Sequence, residues 1–444
     1  MKKRRFSNLQ IIALGFALIA FAGTVLLMLP VSSKTGEWTP FLTSFFTSVS
    51  ASCVTGLVLV DTATHWSLFG QIVILVLIQL GGLGFMSIAT FFLSFTKKNI
   101  DLRKRNIMAE SINTAHISGM KQISRKILIG TAVFEGIGAV LLSVRFIEEF
   151  GFVKGIYYGI FHSVSAFCNA GFDLMGENEA FCSLVDYSDD FLINITLCAL
   201  ITIGGIGFLV WEDIIKNKYH LKKYQLHSKL VLATGAILTI GGALLFFIFE
   251  NNNSLAEMGA AEKILSSIFS SVTCRTAGFN TVDFSSLGKA TTLLMCFLMF
   301  VGGSSGSTAG GVKTTTVSVI FLNLISSLRG HKNPVIFGRR FEDDTLKKAV
   351  TVCVFNLSLI FIAVTTICAM QDFELSDVLF EIFSAMSTVG MSTGITRELN
   401  TISKLIVIFL MYAGRVGSIS FALAILEKRA QPPILYPAEA ITVG

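Results

Sequence analysis

Apolar residues are grouped in long blocks along the chain, and these blocks have the length of membrane-spanning helices. A helix needs about 20 predominantly apolar residues to cross ~30 Å of hydrocarbon. Eight runs meet this requirement, at about 11–30, 71–93, 127–147, 191–211, 230–249, 291–311, 349–370 and 405–426. The chain is 52% apolar and 14% charged, which is too apolar for a soluble multi-domain protein. The pattern therefore predicts an integral membrane protein.

Four short strings between the spans repeat one pattern. They align without gaps and end in glycine: SASCVTG (Ser50–Gly56), SAFCNAG (Ser165–Gly171), VTCRTAG (Val272–Gly278) and SAMSTVG (Ser384–Gly390). An apolar residue lies ten positions before each glycine, namely Phe46, Phe161, Ile268 and Phe380. Successive glycines are 115, 107 and 112 residues apart. This spacing predicts an internal repeat of about 110 residues.

Each repeat is predicted to contain a span, a short helix of about 12 residues, a glycine-centred extended stretch and a second span. The short helix cannot cross a bilayer, so it should enter and leave by one face. Non-helical backbone at membrane depth is tolerated only where it is buried in protein or lines a watery cavity. We therefore expect an all-α polytopic membrane protein, with eight transmembrane helices and four re-entrant pore helices around one pseudo-fourfold pore.

The distribution of charge predicts the orientation. Segments on the side of the N-terminus hold 26 of the 35 Lys and Arg residues, so both termini are expected in the cytoplasm. The opposite side holds about 19 of the 29 acids, a field that attracts cations. The predicted layout is a cytoplasmic N-terminus (1–10), repeats at 11–94, 127–212, 230–312 and 349–427, cytoplasmic linkers at 95–126, 213–229 and 313–348, and a cytoplasmic C-terminus (428–444).

The second spans carry a repeated glycine pattern as well, in QLGGLGF, TIGGIGF, FVGGSSG and MYAGRVG. Glycine in a span permits close helix packing. Five glycines and four serines or threonines between Gly302 and Gly311 are too many for a continuous helix, so a break is predicted there.

The same stretch resembles two enzyme motifs, Gly-x-Ser-x-Gly at Gly302–Gly306 and a phosphate loop at Gly310–Lys313. Neither motif has the strand-to-helix context that it requires. The eight cysteines and six histidines also lack metal-site spacings. We therefore predict neither an enzyme nor a resident cofactor.

A glycine at the end of each short helix lets the backbone turn its carbonyls toward a common axis, where they can replace the hydration shell of a monovalent cation. A pore selective for divalent ions should carry a carboxylate ring, and the four tripeptides contain no acid. The predicted filter is therefore made of backbone carbonyls. Its residues are Val54, Thr55, Gly56, Asn169, Ala170, Gly171, Thr276, Ala277, Gly278, Thr388, Val389 and Gly390.

The string Thr388-Val389-Gly390 resembles the start of the potassium-channel signature Thr-Val-Gly-Tyr-Gly. With the four repeats, the chain resembles the Trk/Ktr/HKT superfamily of potassium transporters, most closely the KtrB membrane subunit of the bacterial Ktr system. The resemblance implies that the filter carbonyls bind K⁺. Leu57, Phe172, Phe279 and Met391 follow the glycines, so the full channel signature is absent and weaker discrimination against Na⁺ is expected.

The resemblance also implies a gate. In that superfamily the broken second span of the third repeat forms an intramembrane loop that obstructs the pore below the filter. The matching residues are Gly302, Gly303, Ser304, Ser305, Gly306, Ser307, Thr308, Ala309, Gly310 and Gly311. Arg415 is expected to lie near this loop and to obstruct cations; a buried pair with Glu135 is the open alternative. Arg275 is expected to brace the filter from behind by bonding a carboxylate such as Asp283.

The basic cytoplasmic runs Lys97–Asn106 and His331–Asp344 are interpreted as a solvated positive-inside face. The resemblance adds docking onto a nucleotide-binding (RCK/KTN) regulatory ring of the KtrA or KtrC type, with ATP or ADP bound by that partner. It also implies a homodimer in the plasma membrane of a bacterium, with K⁺ as permeant ion and Na⁺ as a candidate activator. An alternating-access cation symporter is the second hypothesis, although such folds usually show inverted repeats and acids near the midplane.

Overall fold

The structure is a computed structural model that describes residues 7–84, 120–177, 179–330 and 335–417. The run Lys97–Asn106 lies outside these residues, as do residues 331–334 of the second basic run. Within the described ranges the chain is helical apart from turns, loops and one hairpin of two-residue strands, β1 Val335–Ile336 and β2 Arg339–Arg340.

Three kinds of helix follow one another four times. The long first helices are α1 Asn8–Met28, α5 Met120–Phe150, α9 Leu226–Glu250 and α13 Asp343–Met370. The short helices are α2 Phe41–Ser52, α6 Phe152–Phe167, α10 Ala260–Thr273 and α14 Leu375–Ser387. The second helices are α4 Leu68–Gly82, α7 Phe191–Gly205, α11 Lys289–Phe300 and α15 Thr401–Val416. The remaining helices are α3 Thr62–His65, α8 Phe208–Asn217 and α12 Thr314–Leu328, together with five short 3₁₀ segments.

The four long helices carry the apolar character that a membrane requires. Among the described residues, they alone are long and apolar enough to cross a bilayer as single helices, and a fifth span results if α7 and α8 are counted together. Large apolar side chains on them remain open to the surroundings, for example Leu18, Ile237 and Phe361, which are 69%, 70% and 72% exposed. Such faces suit contact with lipid.

The second helices are shorter than the sequence analysis predicts. Three of them are preceded by a capping side chain that accepts a hydrogen bond from the backbone amide three residues later. The capping residues are Ser67 for α4, Asp190 for α7 and Asn400 for α15. α4 ends at Gly82, α11 at Phe300 and α15 at Val416, well before the predicted ends of these spans. Glycines with positive φ follow α4 and α15, at Gly84 (75°) and Gly417 (91°).

The break predicted in the third repeat is present, since α11 ends at Phe300 and α12 begins at Thr314. A second break was not predicted. Helices α7 and α8 meet at 97° across Ile206 and Gly207, where Gly207 has φ 95°. α12 was not predicted either. It is an apolar helix that packs against α9 and α13, and it lies in the segment 313–348, for which the sequence analysis expects a cytoplasmic linker.

The packing of these helices closes a ring. Each short helix packs against the long helix before it and, in three of the four cases, against the second helix that follows, whereas α10 and α11 do not form a major contact. Between repeats, α4 contacts α6, α7 contacts α10, α11 contacts α14, and α15 returns to α2. The four short helices are therefore held around one centre, in the order in which they occur in the chain.

Glycines of the second helices allow this close packing. A Cβ on Gly81, Gly204 or Gly414 would collide with the carbonyl of Ser52, Phe167 or Met386, respectively. These three carbonyls belong to equivalent residues, four positions before the glycine of each string. The packing role predicted for the span glycines is therefore present at these positions.

Candidate functional site

The four tripeptides of the predicted filter meet at the centre of the ring. A Cβ built on Gly56 would lie 2.6 Å from the Ala170 carbonyl oxygen, and one on Gly171 would lie 2.6 Å from that of Ala277. A Cβ on Gly278 would collide with the Val389 carbonyl, and one on Gly390 with the Thr55 carbonyl. Each glycine therefore touches the carbonyl of the next repeat, and the fourth contact closes on the first. We call Gly56, Gly171, Gly278 and Gly390 the glycine ring.

The backbone of the glycine ring is left-handed at two positions in every repeat. The glycines have φ of 96°, 68°, 87° and 97°. The residues two positions earlier are not glycines, yet they also have positive φ: Val54 (58°), Asn169 (59°), Thr276 (70°) and Thr388 (52°). Each such residue costs about 1–2 kcal/mol, so the surrounding structure must impose the conformation.

Hydrogen bonds from the end of each short helix impose it. The amides of Thr55, Ala170 and Val389 donate to the carbonyls of Ser50, Ser165 and Ser384, each at 2.8 Å. Ser50 and Ser384 also accept from the amides of Gly56 and Gly390 through their hydroxyls, both at 3.1 Å. Their strings are therefore fixed by the first residue of the motif.

The third string uses its second residue instead. The amide of Ala277 donates to the carbonyl of Thr273 at 2.9 Å, and the Thr273 hydroxyl donates to the Phe279 carbonyl at 2.6 Å. Ser165 makes the equivalent bond to Phe172 at 2.7 Å. Val272, which the sequence alignment places opposite the serines, cannot supply a hydroxyl.

One cavity of about 210 Å³ opens on the glycine ring, and all four glycines line it. The carboxylates of Asp61, Asp173 and Asp283 and the guanidinium of Arg397 also line this cavity. Burial raises the pKa of Asp173 to about 7. We call this space the outer cavity.

The residues of the predicted gate form a closed loop between α11 and α12, which we call the central loop (302–313). Its ends are joined, because Val301 and Val312 form a bridge and the Gly302 amide donates to the Val312 carbonyl at 2.9 Å. The Thr314 amide adds a bond to the Gly303 carbonyl at 3.1 Å.

The central loop contacts three of the four predicted filter strings. The Thr308 hydroxyl lies 3.1 Å from Asn169 Oδ1 and 3.2 Å from the Phe167 carbonyl. A Cβ on Gly310 would collide with the Thr388 side chain, and one on Gly302 would lie 3.2 Å from Thr276 Cγ2. Asn169, Thr276 and Thr388 each lie two positions before a ring glycine, whereas the outer cavity meets the glycines themselves. The loop therefore lies on the other side of the ring from the cavity.

The central loop also joins the two halves of the broken second helix. Ser304 donates to the Gly205 carbonyl through both its amide and its hydroxyl, each at 3.0 Å. The amide of Phe208, the first residue of α8, donates to the Gly306 carbonyl at 2.8 Å. The loop thus satisfies backbone groups that the break between α7 and α8 leaves free.

Arg415 bonds the central loop, as the sequence analysis expects. Its guanidinium donates to the Thr308 carbonyl, to the Gly81 carbonyl at 2.5 Å and to the Gly82 carbonyl at 3.0 Å. Glu135 instead accepts from Gln79 Nε2 at 3.1 Å, so the alternative of a pair with Arg415 is wrong. Arginine therefore ties the loop to the end of α4.

The partner predicted for Arg275 is wrong. Its guanidinium donates to the Gly235 carbonyl at 3.3 Å, whereas Asp283 accepts from the amide and the hydroxyl of Ser285 at 2.9 and 2.7 Å. Arg275 lies at a second cavity of about 320 Å³, which Gly303 and Ser304 of the central loop also line.

The sequence analysis missed a second basic side chain at the central loop, that of Lys313. Lys313 Nζ donates to the carbonyls of Ala309 and Gly310 at 2.7 and 3.1 Å. Its position directly after the Gly310-Gly311-Val312 string was the available signal.

All eight cysteines lie in the described part of the chain and are free thiols.

Comparison with known proteins defines the class. A family model described as TrkH, cation transport protein, matches residues 7–432. The chain therefore belongs to the TrkH family of cation transport proteins, and the prediction of a helical, multi-pass membrane protein of the Trk/Ktr superfamily is confirmed.

Individual relatives are similar over their whole length. The chain is 42% identical to the potassium/sodium uptake protein NtpJ of Enterococcus hirae, over 100% of this chain and 99% of that protein. It is 38% identical to the Ktr system potassium uptake protein B of Bacillus subtilis, over 99% and 97% of the two chains. The crystal structure of the potassium transporter TrkH from Vibrio parahaemolyticus shares the fold, with a TM-score of 0.73 at 17% identity over 96% of this chain and 86% of that one.

Proposed function

We propose that this chain is the K⁺-translocating membrane subunit of a Ktr-type potassium uptake system, working as a gated, channel-like pore. The observation that carries the proposal is the closed glycine ring, in which each glycine touches the carbonyl of the next repeat. Backbone carbonyls around an axis coordinate a dehydrated monovalent cation. The relatives NtpJ and Ktr protein B carry potassium uptake in their names, which supports K⁺ as the ion.

The twelve residues of the four tripeptides are the proposed filter, and the outer cavity is its entrance. The carboxylates of Asp61, Asp173 and Asp283 at this cavity raise the local concentration of cations. The absence of a carboxylate from the tripeptides themselves favours a monovalent ion.

The central loop and Arg415 are the proposed gate. The loop closes the side of the ring opposite the outer cavity, and Arg415 holds it to α4 through carbonyls on both elements. Displacement of the loop requires space, which the neighbouring cavity of about 320 Å³ beside Gly303 and Ser304 supplies. Arg415 also places positive charge at the loop, which repels a cation while the loop is closed.

The proposed wider assembly rests on the resemblance to the Ktr systems. We propose a homodimer in a bacterial plasma membrane with both termini in the cytoplasm, regulated by a ring of nucleotide-binding subunits that carries the ATP or ADP. The excess of Lys and Arg in the segments on the side of the N-terminus supports this orientation. Na⁺ is proposed as an activator, and the name of the relative NtpJ shows sodium beside potassium in the uptake by that protein.

Potassium uptake by Gly390→Ser tests the filter. Serine would have to adopt a φ of 97° and place Cβ against the Thr55 carbonyl. We expect the native chain to restore growth of potassium-transport-deficient cells at low K⁺, and Gly390→Ser to raise the required K⁺ concentration about tenfold or to admit Na⁺.

Gly36→Ser is the matched control. Gly36 has φ 71° with nothing within 4 Å of an added Cβ, so it carries backbone strain without touching the ring. Abundance in the membrane is measured for each variant. Equal growth of native and Gly390→Ser cells at every K⁺ concentration contradicts the carbonyl filter and favours an alternating-access symporter.

A further inference from the structure

The ring position is glycine in all four repeats, whereas the residue nine positions before it is different in each repeat. These residues are Thr47, His162, Phe269 and Glu381 in repeats 1 to 4. All four lie on the short helices and are at most 1% exposed. Two of them, His162 and Glu381, are polar side chains with hydrogen-bond partners beyond the filter.

Glu381 holds the segment that follows Gly390. Its carboxylate accepts a hydrogen bond from Ser392 Oγ at 2.8 Å and another from the Thr396 hydroxyl. Ser392 lies two residues after the ring glycine, and both hydroxyl-bearing residues line the outer cavity. The buried carboxylate therefore fixes the outer end of the fourth filter string from behind.

His162 holds the equivalent segment of the second repeat. Nδ1 lies 2.8 Å from the Tyr158 carbonyl, and Nε2 lies 3.2 Å from the amide nitrogen of Leu174. A carbonyl accepts and an amide donates, so the two partners fix a neutral imidazole with its proton on Nδ1. Leu174 lies three residues after Gly171.

In the described part of the chain, the equivalent residues of the other two repeats form no such brace. The corresponding segment of repeat 3 is held instead by the Ser183 hydroxyl, which accepts from the Asn280 amide at 3.3 Å. The Thr47 hydroxyl has no hydrogen-bond partner in the described part of the chain, and Phe269 packs in the apolar core. Because the repeats follow one another around the ring, repeats 2 and 4 lie opposite each other. The two braces therefore hold strings on opposite sides of the ring.

We propose that Glu381 and His162 are positioning residues that set the discrimination between K⁺ and Na⁺, by fixing the outer ends of two opposite filter strings. The inference rests on the proposed K⁺ pore. A ring of carbonyls favours K⁺ only while it resists closing around the smaller Na⁺, so a string released at its outer end lowers the discrimination. Glu381 acts through hydrogen bonds to Ser392 and Thr396 rather than through its charge.

Glu250 provides a matched control for a purely structural carboxylate. It is 0% exposed and accepts hydrogen bonds from the hydroxyls of Ser254 and Thr291, the Asn253 amide group and the Gly288 amide. None of these residues lines the outer cavity or belongs to the glycine ring. Its loss should affect folding without affecting which ion is selected.

The experiment measures K⁺ uptake in potassium-transport-deficient cells expressing the full chain with its regulatory partner. Discrimination is the ratio of the initial uptake rate of K⁺ to that of Na⁺, measured with both ions present at equal concentration. We expect Glu381→Leu to lower this ratio about fivefold, because the Ser392 and Thr396 hydroxyls both lose the buried carboxylate to which they donate. In Glu381→Gln the amide oxygen can still accept from one hydroxyl and the amide NH₂ can donate to the other. Its discrimination ratio should therefore stay within about twofold of the native ratio.

Two further variants extend the test. Ser392→Ala keeps the buried carboxylate and removes the hydroxyl that bonds Glu381 at 2.8 Å, Thr396 at 2.9 Å and the Gly394 amide at 2.9 Å. It should lower the ratio in the same direction and gives a result even if Glu381→Leu does not fold. His162→Phe installs the residue found in the third repeat and should also lower the ratio. Glu250→Leu should reduce abundance and leave the ratio unchanged.

The outcomes separate the inference from the proposed function. A native chain without K⁺-selective uptake contradicts the proposed pore. If the native chain is selective and Ser392→Ala and Glu381→Leu both keep the native ratio, the positioning role is wrong. An equal loss in Glu381→Gln and Glu381→Leu assigns the effect to charge and also overturns the proposal.

Discussion

Replacing Arg415 tests whether the central loop is a gate, because this side chain joins the loop to α4. The guanidinium bonds the Thr308 carbonyl on the loop and the Gly81 and Gly82 carbonyls on α4. Arg415→Met keeps much of the side-chain volume but removes the charge and every donor. The closed arrangement then loses its link between the two elements.

The expected change in flux follows from the one hydrogen bond between the Arg415 guanidinium and the Thr308 carbonyl of the loop. A hydrogen bond from a charged group contributes about 1.5–3 kcal/mol, and a loss of about 2 kcal/mol shifts an equilibrium about 30-fold. We therefore expect the flux through a closed pore to rise by about 10- to 30-fold. Removal of the positive charge acts in the same direction, since it lowers the repulsion of a passing cation.

The assay is tracer Rb⁺ flux into liposomes that contain the purified chain without a regulatory partner, where the closed state should prevail. Arg415→Lys keeps the charge but replaces the planar, five-donor guanidinium, so it should raise the flux less than Arg415→Met. Arg145→Met is the control, because Arg145 pairs with Glu148 and Asp190 at an exposed site on α5. An unchanged low flux through correctly folded Arg415→Met protein refutes the gate, and a loss of folded protein makes Arg415 a structural residue.

Two further predictions concern charged groups at the two ends of the proposed path. Lys313→Met should raise the same Rb⁺ flux, by about threefold to tenfold, because Lys313 holds the Ala309 and Gly310 carbonyls of the central loop; a flux equal to the native one argues against a latch at this position. Since burial raises the pKa of Asp173 to about 7, its charge at the outer cavity is lost as the external pH falls through 7, and the apparent KM for K⁺ should rise about twofold between pH 8 and pH 6. Asp173→Asn should remove this pH dependence, and a variant with the native pH profile excludes Asp173 as its source.

The sequence predicts the glycine ring because its determinants are local. A short apolar helix, a hydroxyl at its end and a glycine five or six residues later appear in each repeat within a dozen residues. The backbone conformations follow from these residues, as the bonds of Ser50 and Ser384 to the ring glycines show. Repetition makes the pattern visible without any knowledge of the packing around it.

The break between α7 and α8 could not be predicted in the same way. The string Gly204-Gly205-Ile206-Gly207 carries three glycines, and glycines within a span also suit close helix packing, so their number alone does not predict a bend. The 97° bend is stabilised from outside the string, by Ser304 bonding Gly205 and by Gly306 accepting from Phe208. A partner about 100 residues away in the sequence leaves no local signal.

The partners of the buried arginines were hard to predict for a related reason. Sequence shows carboxylates, which led to Asp283 for Arg275 and to Glu135 as an alternative for Arg415. The structure instead uses backbone carbonyls, at Gly235 for Arg275 and at Gly81, Gly82 and Thr308 for Arg415. Carbonyls become available where helices end or approach closely, and that depends on the tertiary arrangement.

The contacts of the central loop suggest how an opening would spread. The loop touches the strings of repeats 2, 3 and 4, and Arg415 ties it to α4 of repeat 1, so it is held on all four sides. The ring glycines are fixed separately, by the short helices. If the loop is the proposed gate, it can leave without dismantling the ring. It cannot leave without releasing the Phe208 amide and the Gly205 carbonyl, so opening must be accompanied by a rearrangement at the junction of α7 and α8. α8 leads directly into the exposed basic segment 216–223, which gives a change at the loop a direct mechanical route to the surface of the molecule.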